Sequence, residues 1–189
     1  MAPENVFKNL PALETRRLIL RKMALEDAED LFEYASDPEM TKFVIWEPHK
    51  SIEDSYNYLK AMIQRYEKGE VSEWGIIHKE KNKFIGTCGY LWWLVEHHRA
   101  EIVYALSRKF WNQGLMTEAI QEVIKFGFDK MALNRIEARV MPENIASQRV
   151  LKKVGMQYEG LLREVMMVKG THRDLMIFSI LRKEYDGKK

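Results

Sequence analysis

Two stretches of this chain carry residues whose types and order can do chemistry. In the first, EIVYALSRKFWNQGLMTEAIQEVIKFGFDK, Glu101 opens an apolar run from Ile102 to Leu106. The β-branched residues and the tyrosine of that run suit a strand buried on both faces. A carboxylate that begins such a run sits at the margin of the core. Desolvation there raises its pKa toward the range useful for accepting a proton near neutral pH. A polar turn, Ser107 to Gln113, and then Gly114 lead into an amphipathic helix. Its apolar face is Met116, Ala119, Ile120, Val123, Ile124, Gly127 and Met131, with Glu118, Gln121, Glu122, Lys125 and Asp129 opposite. A strand that turns through Asn112-Gln113-Gly114 into a helix leaves backbone N–H groups unpaired where the helix dipole is positive. Phosphate oxygens fit such a place, although the same geometry also serves as a plain β-to-α connection. In the second stretch, Asn144 and Ser147 stand one turn apart at the start of a helix from about Ile145 to Val154, so both can face one cleft. Asn144 is equally a good helix N-cap.

Composition narrows the classes. The chain has 189 residues, of which 46% are hydrophobic and 31% charged, with a net charge of +2. That is enough for one domain with a real core and suggests no second one. The expectation is a single domain over residues 1–189, its core at about 13–183. Acids and bases are interspersed, and Arg16-Arg17 and Lys188-Lys189 are only small clusters, so direct nucleic-acid binding is not expected. Cys88 is the single cysteine and reads as a small buried hydrophobe, which points to a reducing cytoplasm. The histidines, including His97-His98, lack the spacing of a helical zinc site, so no metal is expected. No apolar run reaches membrane-spanning length, and MAPENVFKNLP lacks a signal-peptide core. Nucleotide-binding glycine motifs of the G-x-x-x-x-G-K-[ST] and G-x-G-x-x-G types do not occur.

The elements that must hold these groups follow from pattern. Leu13–Met23 reads as a first strand near a sheet edge, with Leu18 and Leu20 on one face. Leu25, Ala28, Leu31, Phe32 and Ala35 mark a helix stopped by Asp37-Pro38. A second helix starts at a Ser51 cap with Asp54 three residues on, buries Ile52, Tyr56, Leu59, Ile63 and Tyr66, and ends at Gly69. The loop Phe43–His49 between them is rich in large apolar residues. Three strands follow at about 73–79, 83–93 and 100–107, with Gly86 and Gly89 marking a bulge or close backbone packing. After the central helix come a strand at Arg135–Val140, the helix of Asn144 and Ser147 capped by Gly155, and a hairpin of Gln157–Val168 and His172–Leu181 about Lys169-Gly170. The order β-α-α-β-β-β-α-β-α-β-β specifies one α/β or α+β domain.

AEIVYAL followed by FWNQGLMTEAI resembles the central motif of the GNAT superfamily of acetyl-CoA-dependent N-acetyltransferases, in which an [Arg/Gln]-x-x-Gly-x-[Gly/Ala] turn holds the coenzyme pyrophosphate. Gly114 matches the inner glycine, while Trp111 and Met116 depart from the pattern. LETRRLILR, PENIASQRVLKKVGMQYEG and GLLRE with Gly170 and Arg173-Asp174 resemble the RimJ/RimL-type branch, which acetylates N-terminal amines of ribosomal proteins. The resemblance implies a mixed, mostly antiparallel sheet of about seven strands flanked by about four helices.

It also implies roles. Backbone groups of Tyr104 and Leu106 would run beside the pantetheine arm. Amides of Asn112, Gln113, Gly114, Leu115, Met116 and Thr117 would take the pyrophosphate, and Asn144 would contact the pantetheine amides. The family's usual tyrosine acid falls at Leu151, so Ser147 takes the role at the leaving thiolate. Glu101 matches the base of AEIVF-type members, with Glu164 in reserve and Met166 at the branch's own base position. Pairing with a nearby arginine such as Arg99 would instead make Glu101 a plain ion-pair residue. Phe43, Trp46, Trp92, Trp93, His97 and His98 are acceptor-groove candidates. The first expectation is an enzyme, monomer or homodimer, that acetylates a protein N-terminus. The alternatives are acetylation of a small amine (polyamine, amino acid or aminoglycoside-like) and a non-catalytic acyl-CoA sensor.

Overall fold

The computed structural model describes residues 3–187, so the Lys188-Lys189 cluster lies outside it. In chain order the elements are α1 (Pro3–Phe7), β1 (Leu13–Glu14), β2 (Leu18–Arg21), α2 (Ala28–Ala35), α3 (Pro38–Thr41), α4 (Ile52–Lys68), β3 (Glu73–His78), β4 (Lys83–Leu94) and β5 (Arg99–Leu106). There follow α5 (Leu115–Lys130), β6 (Arg135–Val140), α6 (Ile145–Lys153), β7 (Gln157–Val168), β8 (Thr171–Leu181) and α7 (Arg182–Asp186). The strands form one eight-stranded sheet in the order β1-β2-β3-β4-β5-β6-β8-β7. Every pair is antiparallel except β5 with β6.

The short helices α1, α3 and α7 stand outside the pattern reading, and two longer elements differ from it. The expected strand Leu13–Met23 is two strands: β1 folds back on β2, pairing Leu13 with Leu20 and Glu14 with Ile19. The turn between them is closed by Thr15 and Leu18, whose backbones exchange bonds through the Thr15 amide and hydroxyl. In α4 the buried face is Ser55, Leu59, Met62 and Tyr66. It is rotated from the expected one, so Ile52 is exposed. Ser55 is buried against the His49 ring, its hydroxyl 2.8 Å from Nδ1. A burial pattern that admits a satisfied serine is invisible to hydrophobic periodicity alone.

Helix α5 follows its periodicity without exception. All seven residues expected inside are buried, joined by Leu115, Phe126 and Phe128. Each fully buried Val, Ile or Phe contributes roughly 1.5–3 kcal/mol relative to exposure, so the helix is fixed on the sheet and its first turn with it. Tyr90 of β4 donates to the Val123 carbonyl on this face at 2.7 Å. On the other face α2 packs through Tyr34, whose ring stacks on Phe84 of β4. Gly86 and Gly89 serve close approach: a Cβ at Gly86 would fall on the Ala105 carbonyl oxygen, and one at Gly89 on the Glu73 backbone. Each β4 glycine thus lets a neighbouring strand, β5 or β3, lie at full pairing distance.

Candidate active site

The parallel contact of β5 with β6 is brief. It joins Arg99 to Arg135, Ala100 to Ile136 and Glu101 to Glu137, and then the strands part. Beyond Glu101, residues 102–106 remain paired with β4 and have no strand partner on the other side among the described residues. Ser107 donates to Ile85 on the β4 side, so by the alternation of a strand Tyr104 and Leu106 direct their backbone groups into the gap. An extended amide chain can pair there as an added strand. The Leu106 carbonyl is already engaged, because the Trp111 indole donates to it at 2.8 Å. Trp111, which departs from the expected turn pattern, thereby ties the end of β5 to the turn that follows.

That turn ends in two residues of left-handed backbone, Asn112 at φ 59° and Gly114 at φ 75°. Gly114 is the N-cap of α5, and the first helical bond runs from the Glu118 amide to its carbonyl. No acceptor among the described residues reaches the amides of residues 112–117. They lie at the positive end of a 16-residue helix. Met116 does not obstruct them. Its side chain is buried in the core, so a large residue is tolerated where a small one was expected. Gln113 is held by its own side chain on the Lys109 carbonyl and by Arg17 on its backbone carbonyl.

Across the gap, the Tyr104 phenol and the Ser147 hydroxyl are 2.7 Å apart. Burial pushes the phenol's pKa up, against the opposing effect of the Ser147 bond. Asn144 caps α6, its Oδ1 accepting from the Ser147 amide at 3.0 Å. Leu151, at the position of the family's usual tyrosine, is a fully buried core residue, and a tyrosine from β5 reaches the same serine instead. Sequence reading missed that hydroxyl because it valued Tyr104 only for its backbone. The usable signal was that a tyrosine in a buried strand needs a partner for its O–H.

Glu101 lies where β5 and β6 part and is 4% exposed. Trp92 donates to its Oε2 at 2.6 Å, and Arg139 Nε lies 3.6 Å from the same oxygen. Burial lifts the Glu101 pKa above the ordinary carboxylate value. Arg139 and Trp92 oppose the rise, and Glu137 adds to it. The nearby arginine that pairs with Glu101 is thus Arg139, not Arg99. The Arg99 guanidinium lies over the Trp92 ring instead. From Glu101 a row of charges continues through Arg139, Glu137 and Arg135 to Glu159. Arg135 and Ser179 hold the Glu159 carboxyl down at about 2, against the effect of partial burial.

The other candidates separate. Glu164 is exposed on a bulge of β7, its amide donating to Asp174, and by register it lies beyond the row that contains Glu101. Trp93 points into the core against Phe7. His97 and His98 sit in the turn before β5, where His98 contacts the Ala132 carbonyl. Phe43 packs with Met141, Met166, Val168 and Leu175, and Lys169 Nζ donates to the Thr41 carbonyl. These contacts join the loop after α3 to the tip of the β7–β8 hairpin. Cys88 is fully buried, and burial pushes its thiol pKa well up, which suits a packing role.

Known proteins resemble this chain over most of its length. The Acetyltransferase (GNAT) domain family matches residues 17–157. The chain is 42% identical over 178 residues to the uncharacterized N-acetyltransferase p20 of Bacillus licheniformis, covering 94% of this chain and all of p20. It is 26% identical over 177 residues to the [ribosomal protein uS5]-alanine N-acetyltransferase of Escherichia coli, covering 89% of each. A GNAT-family acetyltransferase of Bacillus anthracis superposes with a TM-score of 0.81 at 29% identity, covering 92% of this chain and 99% of that one. No helix among the described residues is long and apolar enough to cross a membrane. The chain therefore belongs to the GNAT acetyltransferases, in the RimJ/RimL-type branch, and is an acyltransferase that uses acetyl-CoA.

Proposed function

We propose that this single-domain enzyme acetylates the α-amine of a protein N-terminus in the cytoplasm, with Glu101 as the base. The observation that carries the reading is the buried Glu101 at the parting of β5 and β6, its charge matched by Arg139. An α-amine has a pKa of about 7.7–8.0, against about 10.4 for a lysine-type amine. A carboxylate raised above its ordinary value is therefore far better matched to an α-amine. The acids in the row are also offset by Arg139 and Arg135, so this face lacks the negative field that would gather a polyamine. The E. coli relative named for an acceptor acts on a ribosomal-protein alanine, which agrees with this class.

In this mechanism the free edge of β5 at Tyr104 and Leu106 holds the pantetheine arm, aided by Asn144. The amides of 112–117 hold the diphosphate, with Thr117 adding its hydroxyl. The attacking amine gives its proton toward Glu101, directly or through a water. As the carbon–sulfur bond breaks, the Ser147 hydroxyl donates to the sulfur, and Tyr104 donates to Ser147 Oγ, which strengthens that donor.

The acceptor assignment is tested by supplying acetyl-CoA with three amines: a peptide with a free N-terminal alanine, the same peptide N-blocked but carrying an internal lysine, and spermidine. Turnover is expected to favour the free α-amine by at least about 100-fold, in line with the gap in amine pKa. Faster turnover of the blocked peptide or of spermidine would reverse the assignment. A second expected result concerns the leaving group. Tyr104→Phe and Ser147→Ala should each lower kcat by about 10-fold, the value of one hydrogen bond to a charged group. The double variant should be no slower than Ser147→Ala, because the two hydroxyls act as one chain. Additive losses in kcat would separate their roles.

A further inference from the structure

The turn at 112–117 has a cation beside it that belongs to a distant part of the sequence. Arg17, just ahead of β2, sends its guanidinium across to the first turn of α5. Its Nε donates to Glu118 Oε2 at 2.7 Å, its backbone amide donates to Glu118 Oε1 at 2.9 Å, and its Nη1 donates to the Gln113 carbonyl at 2.9 Å. Thr15 completes the set by donating its hydroxyl to Glu118. Nη2 has no hydrogen-bond partner among the described residues. It lies 3.6 Å from where a Cβ on Gly114 would stand, the nearest group to that position. The cations within the turn are engaged elsewhere: Arg108 pairs with Asp37 and Lys109 with Glu33, each at 2.6 Å.

Two effects follow from this placement. Glu118 carries a negative charge into the first turn of α5, where it would repel an incoming anion. The bonds from Thr15 and Arg17 hold that carboxyl below its ordinary range in spite of partial burial, and the guanidinium offsets its charge. Nη2 therefore stands beside Gly114 with its N–H groups unpaired among the described residues, and a planar guanidinium donates well to phosphate oxygens.

We infer that Arg17 is a coenzyme-binding residue whose Nη2 donates to a diphosphate oxygen of acetyl-CoA across Gly114, while its Nε cancels the charge of Glu118. This rests on the reading that the diphosphate seats on the amides of 112–117. Arg17 then couples the opening hairpin to the ligand, so that 101 residues of sequence separation close on one anion.

The test compares the parent, Arg17→Gln, Arg17→Lys and Gly114→Glu. Calorimetry measures affinity for coenzyme A and for dephospho-coenzyme A, which keeps the diphosphate but lacks the 3′-phosphate. Kinetics with S-acetylpantetheine, which has no phosphate, reports on the rest of the site. Arg17→Gln is expected to weaken both coenzyme forms by about 10- to 30-fold. Its KM for S-acetylpantetheine should stay within about two-fold of the parent, and Arg17→Lys should recover part of the loss. Equal loss with S-acetylpantetheine would make Arg17 a purely structural residue. Loss confined to coenzyme A would move the contact to the 3′-phosphate, and either result overturns the inference. If Gly114→Glu weakens binding and Arg17→Gln does not, Arg17 is excluded while the seat stands. If neither does, the seat itself is misplaced. Should Arg17→Gln fail to fold, Arg17→Lys carries the same comparison: a loss for both coenzyme forms with none for S-acetylpantetheine supports the contact, and no loss overturns it.

Discussion

Glu101→Gln is expected to lower kcat/KM near neutral pH by about 10²–10⁴-fold, the usual contribution of a general base. Coenzyme affinity should hold within about three-fold. Glutamine keeps the shape of the side chain and an oxygen to accept the Trp92 indole N–H, but it cannot take a proton. The sign of the pH dependence follows from the surroundings. Burial disfavours the charged form and lifts the pKa, and Arg139 and Trp92 only partly oppose it. A base works when unprotonated, so the parent's kcat/KM should fall with decreasing pH through a value above that of an ordinary carboxylate. Arg139→Met removes the opposing cation and should move this acid limb to higher pH. In Glu101→Gln the limb should vanish. A limb unchanged in both variants would assign it to another group and remove Glu101 as the base. Stability follows the same linkage. A folded-state pKa above the unfolded one favours the fold at low pH, and that contribution is lost as pH rises through the folded value. At neutral pH the ionised Glu101 is therefore a cost to the fold, and the glutamine variant escapes it.

Gly114→Glu should weaken acetyl-CoA binding by at least about 100-fold, measured by calorimetry. Space is not the obstacle, since the nearest atom to a Cβ there is Arg17 Nη2 at 3.6 Å. The backbone at φ 75° is one obstacle, because the left-handed conformation costs an L-residue about 1–2 kcal/mol. Charge is the larger one. Two like charges about 4 Å apart repel by up to about 4 kcal/mol at an effective dielectric of 20, which exceeds what a 100-fold loss requires. The new carboxylate would also draw Arg17 Nη2 to itself, which acts in the same direction. Gly114→Ala carries the strain without the charge, so it should cost stability with little loss of affinity. Undiminished binding by Gly114→Glu would place the diphosphate elsewhere.

Much of this architecture is legible in the residue pattern. Helix α5 is written at 3.6-residue spacing from Met116 to Met131, and each apolar position of that series is buried. Gly69, Gly155 and the Lys169-Gly170 turn mark ends that the backbone respects with positive φ. The hairpin of residues 13–21 was not legible, because a two-residue strand offers no alternation to read. The rotated face of α4 was hidden for another reason. A serine buried by a hydrogen bond to His49 leaves no hydrophobic signature.

The candidate site divides along the same line. Local order determined that an acid precedes an apolar strand, that a left-handed turn precedes a helix, and that Asn144 and Ser147 share the first turn of another. These are short-range facts, set by backbone sterics and by the period of each element. Tertiary structure alone decided that Glu101 meets Trp92 and Arg139 rather than Arg99, that Tyr104 crosses a gap to Ser147, and that Arg17 reaches Glu118. Those contacts exist because β5 and β6 part after Glu101 and because the first strands fold against the start of α5. Neither a strand's parting nor a pairing over a hundred residues is encoded in any local spacing. Both follow from how the whole sheet closes its register and buries its two faces.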